Sequence, residues 1–370
     1  MQIQNRMDIG RNEKDMVTIE EILRRAKDVN ASDVHLTVGV PPKMRVNGKL
    51  IDMDFPKLGP RDTEIIIKDI MTEEQHDRFV RKGEVDFSYS ISSLGRYRIN
   101  AFRQRSSMAA SIRLVASNVP RPEVLGLPRS VLDLTHKKRG LVLVTGPTGS
   151  GKSTTLASLI DKINTEHKSH IITLEDPIEY LHQHKNSMVN QREVGTDTDS
   201  YADALRAALR EDPDVILVGE MRDLETISTA VTAAETGHLV FSTLHTIGAA
   251  STIDRIIDVF PPHQQEQIRV QLSMVLEAVI SQQLLPKQDG TGRVAAFEVM
   301  LMNTAIKNLV RESKTQQING VIQTSKGAGM FTMDDALFDL ANNGVISREV
   351  ALSYSVDEKD LRKSFQSIIE

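Results

Sequence analysis

Leu141-Val142-Leu143-Val144-Thr145-Gly146-Pro147-Thr148-Gly149-Ser150-Gly151-Lys152-Ser153-Thr154 is the stretch from which the fold can be read. Its first five residues are apolar or β-branched and predict a buried strand. Residues 146–153 fit the phosphate-loop pattern of two glycines separated by four residues and followed by Lys and Ser. Behind them Leu156, Leu159, Ile160 and Ile163 recur at helical spacing. Strand, glycine loop and helix in that order are the context the pattern needs.

The residue types account for the chemistry expected there. Gly146, Gly149 and Gly151 let the backbone curl so that its N–H groups point inward at a phosphate chain. The helix start adds the positive end of its dipole. Lys152 reaches the β- and γ-phosphates, and the Ser153 hydroxyl ligates Mg²⁺. Gly146, Pro147, Thr148, Gly149, Ser150, Gly151, Lys152, Ser153 and Thr154 are therefore the expected nucleotide-binding set, with ATP and Mg²⁺ as the ligands.

Further strands are expected at Ile171–Leu174, Val215–Val218 and Leu239–Ser242, with helical patterns between them, as at Tyr201–Arg210. Strands alternating with helices imply a mostly parallel sheet covered on both faces. In such a sheet, functional residues sit at the carboxyl ends of the strands. Three strand ends supply them: Glu175-Asp176, Gly219-Glu220 and Thr243-Leu244-His245. Hydrolysis needs a carboxylate to hold metal and a group to orient water. Glu220 stands where the metal-holding acid of such a site falls and would act through water, because Mg²⁺ keeps much of its hydration shell. Glu175 would polarise the attacking water. The spacing leaves open whether these two roles are reversed. His245, oriented by Thr243, is a candidate γ-phosphate contact, and His238 a more distant one.

Arg96 and Arg98 are two apart on an expected strand and so share a face, with Arg103, Arg105 and Arg113 nearby. Arginines stabilise charge in a phosphoryl-transfer transition state. Their distance in sequence from the glycine loop suggests action on a neighbouring subunit's nucleotide.

The chain has 370 residues, 40% hydrophobic and 26% charged, with no cysteine. This is a globular composition large enough for two or three domains. Disulfides and cysteine-ligated zinc are excluded. A net charge of −5, 4% aromatic residues and no Trp speak against a nucleic-acid-binding surface. No apolar run reaches the length of a membrane span, and the first sixteen residues lack the apolar core of a secretory signal. The expected organisation is a flexible tail at 1–16, a small α+β domain at 17–117, a Pro/Gly-bearing linker at 118–138, an α/β nucleotide-binding core at 139–285, and a mainly helical region at 286–370. In the first domain, expected strands include Val34–Val38 and Lys43–Val46, the latter closed by the turn pair Asn47-Gly48.

Several longer segments resemble the ATPases of type II secretion and type IV pili. Glu175-Asp176-Pro177-Ile178-Glu179 is similar to that superfamily's Asp box. Leu209-Arg210-Glu211-Asp212-Pro213-Asp214-Val215-Ile216-Leu217-Val218-Gly219-Glu220-Met221-Arg222-Asp223 is similar to its signature, and Gly237-His238-Leu239-Val240-Phe241-Ser242-Thr243-Leu244-His245-Thr246 to its His box. Asn190-Gln191-Arg192-Glu193-Val194 and Thr232-Ala233-Ala234-Glu235-Thr236-Gly237 resemble the pilus-retraction branch. So does Ala305-Ile306-Lys307-Asn308-Leu309-Val310-Arg311-Glu312, except that Lys307 and Val310 stand where the branch has Arg and Ile.

The resemblance covers nearly all of the chain after Met16. It implies a PAS-like N-terminal domain, a RecA-like P-loop ATPase domain with a helical C-terminal region, and a homohexameric motor that powers pilus disassembly and twitching motility. It implies that Arg96, Arg98 and Arg113 lie near the nucleotide at a domain or subunit boundary. Docking on an inner-membrane platform protein at the cytoplasmic face is implied too, as is an association with a paralogous retraction ATPase. The alternatives within the superfamily are such an accessory paralogue, or an extension or secretion ATPase; the latter typically carries a four-cysteine zinc motif absent here. A nucleic-acid translocase is the alternative outside it.

Overall fold

Each strand expected around the glycine loop is present in the computed structural model, which describes residues 17–46, 48–92, 94–115 and 118–366. The proposed tail, Asn47 and Ala116 lie outside the described residues. The chain divides into two units, Met1–Ser117 and Asn118–Glu370.

The first unit has a six-stranded antiparallel sheet. Its strands are β1 (Asp33–Leu36), β2 (Lys43–Val46), β3 (Lys49–Asp52), β4 (Glu84–Ile91), β5 (Gly95–Gln104) and β6 (Ser107–Leu114), in the order β3-β2-β1-β6-β5-β4. Helices α1 (Ile19–Asp28), α2 (Pro60–Asp69) and α3 (Glu73–Lys82) belong to it. Helix α1 opens with a capping box between Thr18 and Glu21 and buries Ile19, Ile22, Leu23 and Ala26, a spacing that gives one apolar stripe. These side chains pack with Tyr97, Ile99 and Ile112 of the sheet. The turn joining β5 to β6 is Arg105-Ser106, both at positive φ, as a two-residue hairpin requires.

The second unit carries a seven-stranded sheet. The strands are β7 (Gly140–Thr145), β8 (His170–Glu175), β9 (Met188–Glu193), β10 (Val215–Val218), β11 (Leu239–Leu244), β12 (Leu276–Pro286) and β13 (Arg293–Leu301). Their order is β13-β12-β7-β11-β10-β8-β9, and only β13 runs antiparallel to its neighbour. Alternation along β7 builds two cores. Leu141 and Leu143 face a cluster with α7 (Tyr201–Ala208), α8 (Leu224–Glu235), α9 (Ala249–Asp258) and α10 (Pro262–Val275). Val142 and Val144 face another, with Leu156, Leu159, Ile160 and Ile163 of α6 (Lys152–Glu166). Every residue of β7, β10 and β11 is buried, as a sheet covered on both faces demands.

One expectation is corrected. The stretch 118–138 was expected to link domains by its prolines and glycine, but much of it is packed structure. Helices α4 (Pro122–Leu125) and α5 (Arg129–Leu132) lie within it, and Leu127, Val131 and Leu134 are buried on the α6 face of the sheet. The prolines start short helices rather than interrupt them. The region after Pro286 is mainly helical, as expected, apart from β13, which comes first and closes the sheet by an antiparallel hairpin with β12. Only then follow α11 (Thr304–Arg311), α12 (Ile318–Thr324), α13 (Met333–Asn342), α14 (Arg348–Tyr354) and α15 (Glu358–Gln366).

Candidate nucleotide site

The loop between β7 and α6 is built on glycine conformations that other residues do not adopt. Gly146 has φ +140°, and a Cβ there would stand 2.2 Å from the carbonyl oxygen of Gln282 on β12. Gly151, at φ +90°, precedes Lys152 as the N-cap of α6 and offers no side-chain cap, so the first N–H groups of the helix are left for a ligand. Pro147, Thr148 and Gly149 form the exposed crest, while Ser150 is buried. The Ser150 hydroxyl is enclosed without a hydrogen-bond partner among the described residues. Glycine-only backbone, free helix N–H groups and an enclosed hydroxyl at a helix start suit a phosphate chain.

Lys152 is 8% exposed, and its ammonium donates to the carbonyls of Gly146 at 2.9 Å and Pro147 at 3.0 Å. Burial lowers its pKa, and the nearby charges of Glu179 and Glu220 oppose that shift. Ser153 follows in the first turn of α6. The Thr154 hydroxyl bonds to the Tyr180 hydroxyl at 3.1 Å, tying the segment after β8 to that turn.

Strand register brings the other candidates to the same edge. Leu244 of β11 is level with Thr145 of β7, Ser242 with Val218 of β10, and Val218 with Leu174 of β8. Glu175, Glu220 and His245 therefore emerge at the carboxyl edge where the glycine loop begins. The Glu220 carboxylate accepts from Arg222 Nη2 at 2.8 Å and lies 3.4 Å from His245 Nε2. The Glu175 carboxyl accepts from the Thr173 hydroxyl at 2.6 Å and from Gln191 Nε2 at 3.1 Å. Burial raises its pKa more than these donors lower it.

Tyr201 stands close to both acids. Its hydroxyl is 2.8 Å from where a Cβ on Gly219 would be, so a larger residue there would push the Tyr201 hydroxyl aside. Burial pushes the Tyr201 hydroxyl pKa up, and the charges of Glu220, Asp176 and Glu175 add to the effect.

Some expected roles change. His238 sits at the opposite end of β11, where its carbonyl accepts from Gly140 at the start of β7, six residues before the glycine loop. It is not part of this edge. Thr243 does not orient His245; its hydroxyl donates to the Gly219 carbonyl at 2.6 Å and so joins the ends of β11 and β10.

The arginines lie in the other unit. Arg98 of β5 is directly opposite Arg113 of β6, which is opposite Asp33 of β1. Arg96 and Arg98 share the sheet face away from Tyr97 and Ile99, which are buried. Arg113 Nε donates to Asp33 at 2.9 Å. Burial raises the Asp33 pKa, but the Ser32 hydroxyl and then Arg113 outweigh it and hold the carboxyl low. Arg103 belongs elsewhere: it lies over the Phe79 ring at 5.5 Å. Arg105 forms the β5–β6 turn.

Sequence reading missed Gln191, Tyr201, Glu179, Arg222 and Gln282 as site residues. Gln191 links Glu175, the Tyr180 carbonyl at 2.9 Å and the His182 N–H at 2.7 Å. Gln282 accepts from the Thr155 hydroxyl at 2.7 Å and lies under Gly146 and Gly151. Gln191, Glu179 and Arg222 stood inside recognisable segments; Gln282 carried no local signal, because it reaches the loop from a strand 130 residues downstream.

A parallel sheet with a glycine loop after its third-in-order strand, and acids at the adjoining strand ends, defines a P-loop nucleotide-binding protein. The family profile of the type II/IV secretion system protein matches residues 16–347, and the chain belongs to that family. It is 50% identical over 333 residues to the type IV pilus retractation ATPase PilT of Pseudomonas aeruginosa, covering 90% of this chain and 96% of that one. It is 41% identical over 343 residues to the type IV pilus ATPase PilU of the same organism, covering 93% and 90%. The crystal structure of the pilus retraction motor PilT with bound ADP superposes with a TM-score of 0.88 at 53% identity, covering 94% of this chain and 99% of that one.

Proposed function

We propose that this chain is an ATP-hydrolysing motor that powers type IV pilus retraction. The observation that carries the reading is the meeting of the glycine loop, Glu175, Glu220 and His245 at one sheet edge. It occurs in a chain half identical along nine-tenths of its length to a retraction ATPase. The greater likeness to PilT than to PilU favours the motor over its accessory paralogue.

In this reading the loop N–H groups and Lys152 hold the β- and γ-phosphates. Ser153, and Glu220 through water, would hold Mg²⁺, which when bound neutralises charge on the phosphate oxygens. Arg222 and His245 fix the Glu220 carboxylate for that purpose. Glu175 accepts the proton of the attacking water as that water moves onto the γ-phosphorus and the bond to the β-phosphate oxygen breaks. A buried carboxyl with a raised pKa suits a base near neutrality. Thr173 and Gln191 set its direction. Arg96, Arg98 and Arg113 stabilise the developing charge from the first unit, of the same or a neighbouring copy in a homohexamer. Hydrolysis changes the angle between the units, and that motion acts on an inner-membrane platform protein at the cytoplasmic face. The burial of Leu127, Val131 and Leu134 against the second unit's sheet supports a hinge ahead of them in the chain. Among the described residues no helix is long and apolar enough to cross a membrane.

The test is complementation of a type IV-piliated strain that lacks its retraction ATPase. Wild-type protein should restore twitching, and Glu175→Gln at equal abundance should not. Restoration only when a second retraction ATPase is also present would instead assign the accessory role.

A further inference from the structure

At the far end of α6 from the glycine loop, a second cluster of donor groups lies outside everything described above. His136, Glu166 and His167 each offer one ligand atom, and these atoms lie within 4.8 Å of one another. His136 ends a short 3-10 helix, Asp133–His136. Glu166 is the last residue of α6 and His167 its C-cap. The two imidazoles meet edge to face with centroids 5.2 Å apart. His167 is held in place: its N–H donates to Ile163 O at 2.9 Å, and its carbonyl accepts from the Ser187 hydroxyl at 2.6 Å. Its Nε2 is enclosed with no hydrogen-bond partner among the described residues. His136 and Glu166 are exposed.

We propose that His136, Glu166 and His167 form a binding site for a divalent transition-metal ion of the zinc class. Two imidazoles and one carboxylate, with a water in the fourth position, are a donor set of that class. Metal–ligand bonds of about 2.0–2.2 Å place tetrahedral ligand atoms about 3.4 Å apart. The two exposed side chains close the remaining gap by rotation. The C-terminus of α6 adds the negative end of its dipole, which favours a cation.

Two neighbouring cations oppose the site. Lys162 donates to Glu166 Oε1 at 2.5 Å, and Lys138 stands near His167. The carboxylate can accept at both oxygens, so the lysine need not leave. An ion here would join the last turn of α6 to the segment just ahead of β7. Both pack on the same sheet face, so the effect is to stiffen the helix that carries the phosphate loop at its other end.

The test is calorimetric titration of Zn²⁺ into the full chain, free of any polyhistidine tag, stripped with chelator and without nucleotide. One ion per chain should bind. His136→Ala and His167→Gln should each weaken binding at least about tenfold, in keeping with the loss of one ligand of three. The same titration should raise the melting temperature of the wild type and not of the double variant. Co²⁺ in place of Zn²⁺ should give the intense visible absorption of a four-coordinate ion in the wild type and not in the double variant, whose fold is checked by its melting transition without metal. Lys152→Ala should bind the ion like the wild type, which separates this site from the nucleotide site. Equal affinity in the wild type and the double variant, or a Co²⁺ spectrum of the hydrated ion, would overturn the proposal.

Discussion

Glu175 and Lys152 are ionisable groups in an enclosed site, and both are shifted by that enclosure. Burial raises the Glu175 carboxyl above its ordinary value. A carboxyl raised in the folded state binds its proton more tightly there than in the unfolded chain. The stability it contributes is therefore present at low pH and lost as pH rises from the unfolded value through the folded one. Glu175→Gln should then melt at a higher temperature than the wild type at neutral pH, with the gain shrinking toward pH 4.5, followed by calorimetry. Its turnover should fall by about 10²–10⁴, the range for a lost general base. In the wild type, the acidic limb of the rate profile should lie above the usual carboxylate range, as the raised value requires. Lys152→Ala should lower turnover by about 10²–10³, as loss of one preorganised electrostatic contact does, and should weaken nucleotide binding as well.

At the scale of elements, the phosphate loop depends on the strand beneath it. Gly146→Ala would drive a methyl group against the Gln282 carbonyl, a backbone atom that cannot step aside. The expected cost is about 1–3 kcal/mol of stability, with loss of nucleotide binding, measured by denaturant unfolding and a fluorescent nucleotide. Buried strands β7, β8, β10 and β11 were legible because continuous apolar runs between helical patterns mean a doubly covered parallel sheet. Helix α3 escaped notice because Phe79 is its sole buried residue, which leaves no periodicity to read. Its ends did carry a signal: a capping box of Thr72 and Gln75, and Gly83 in the left-handed conformation after its last turn. Strand β3 is exposed at all four positions and so has no inward face to betray it. The glycine loop, Glu175, Glu220 and His245 were legible because each sits in a local pattern. Gln282 and Tyr201 were not, since what matters about them is which distant backbone they touch.

At the scale of the whole molecule, the proposed roles of phosphate binding and charge stabilisation fall to different units of the chain. The acids and the glycine loop lie in Asn118–Glu370, and the paired arginines in Met1–Ser117. Arg98 and Arg113 face each other across β5 and β6, and only Arg113 is neutralised by an ion pair to Asp33 in the described contacts. Two like charges held opposite each other weaken a sheet, and an anion beside Arg98 would relieve that repulsion. Arg98→Ala should leave the affinity for ATP within a few-fold of wild type while lowering kcat by about 10³, the lower end for an arginine acting on a transferring phosphoryl group. Mixing that variant with Lys152→Ala protein should restore part of the turnover if the arginine acts across copies, because each supplies what the other lacks. No recovery would place the arginine on its own chain's nucleotide.

The most direct measurement pairs ATP binding with magnesium-dependent ATP turnover in Glu175→Gln. The account predicts nucleotide affinity close to wild type and turnover at least about a hundredfold slower. Turnover at the wild-type rate, with the variant protein folded and assembled, would contradict it.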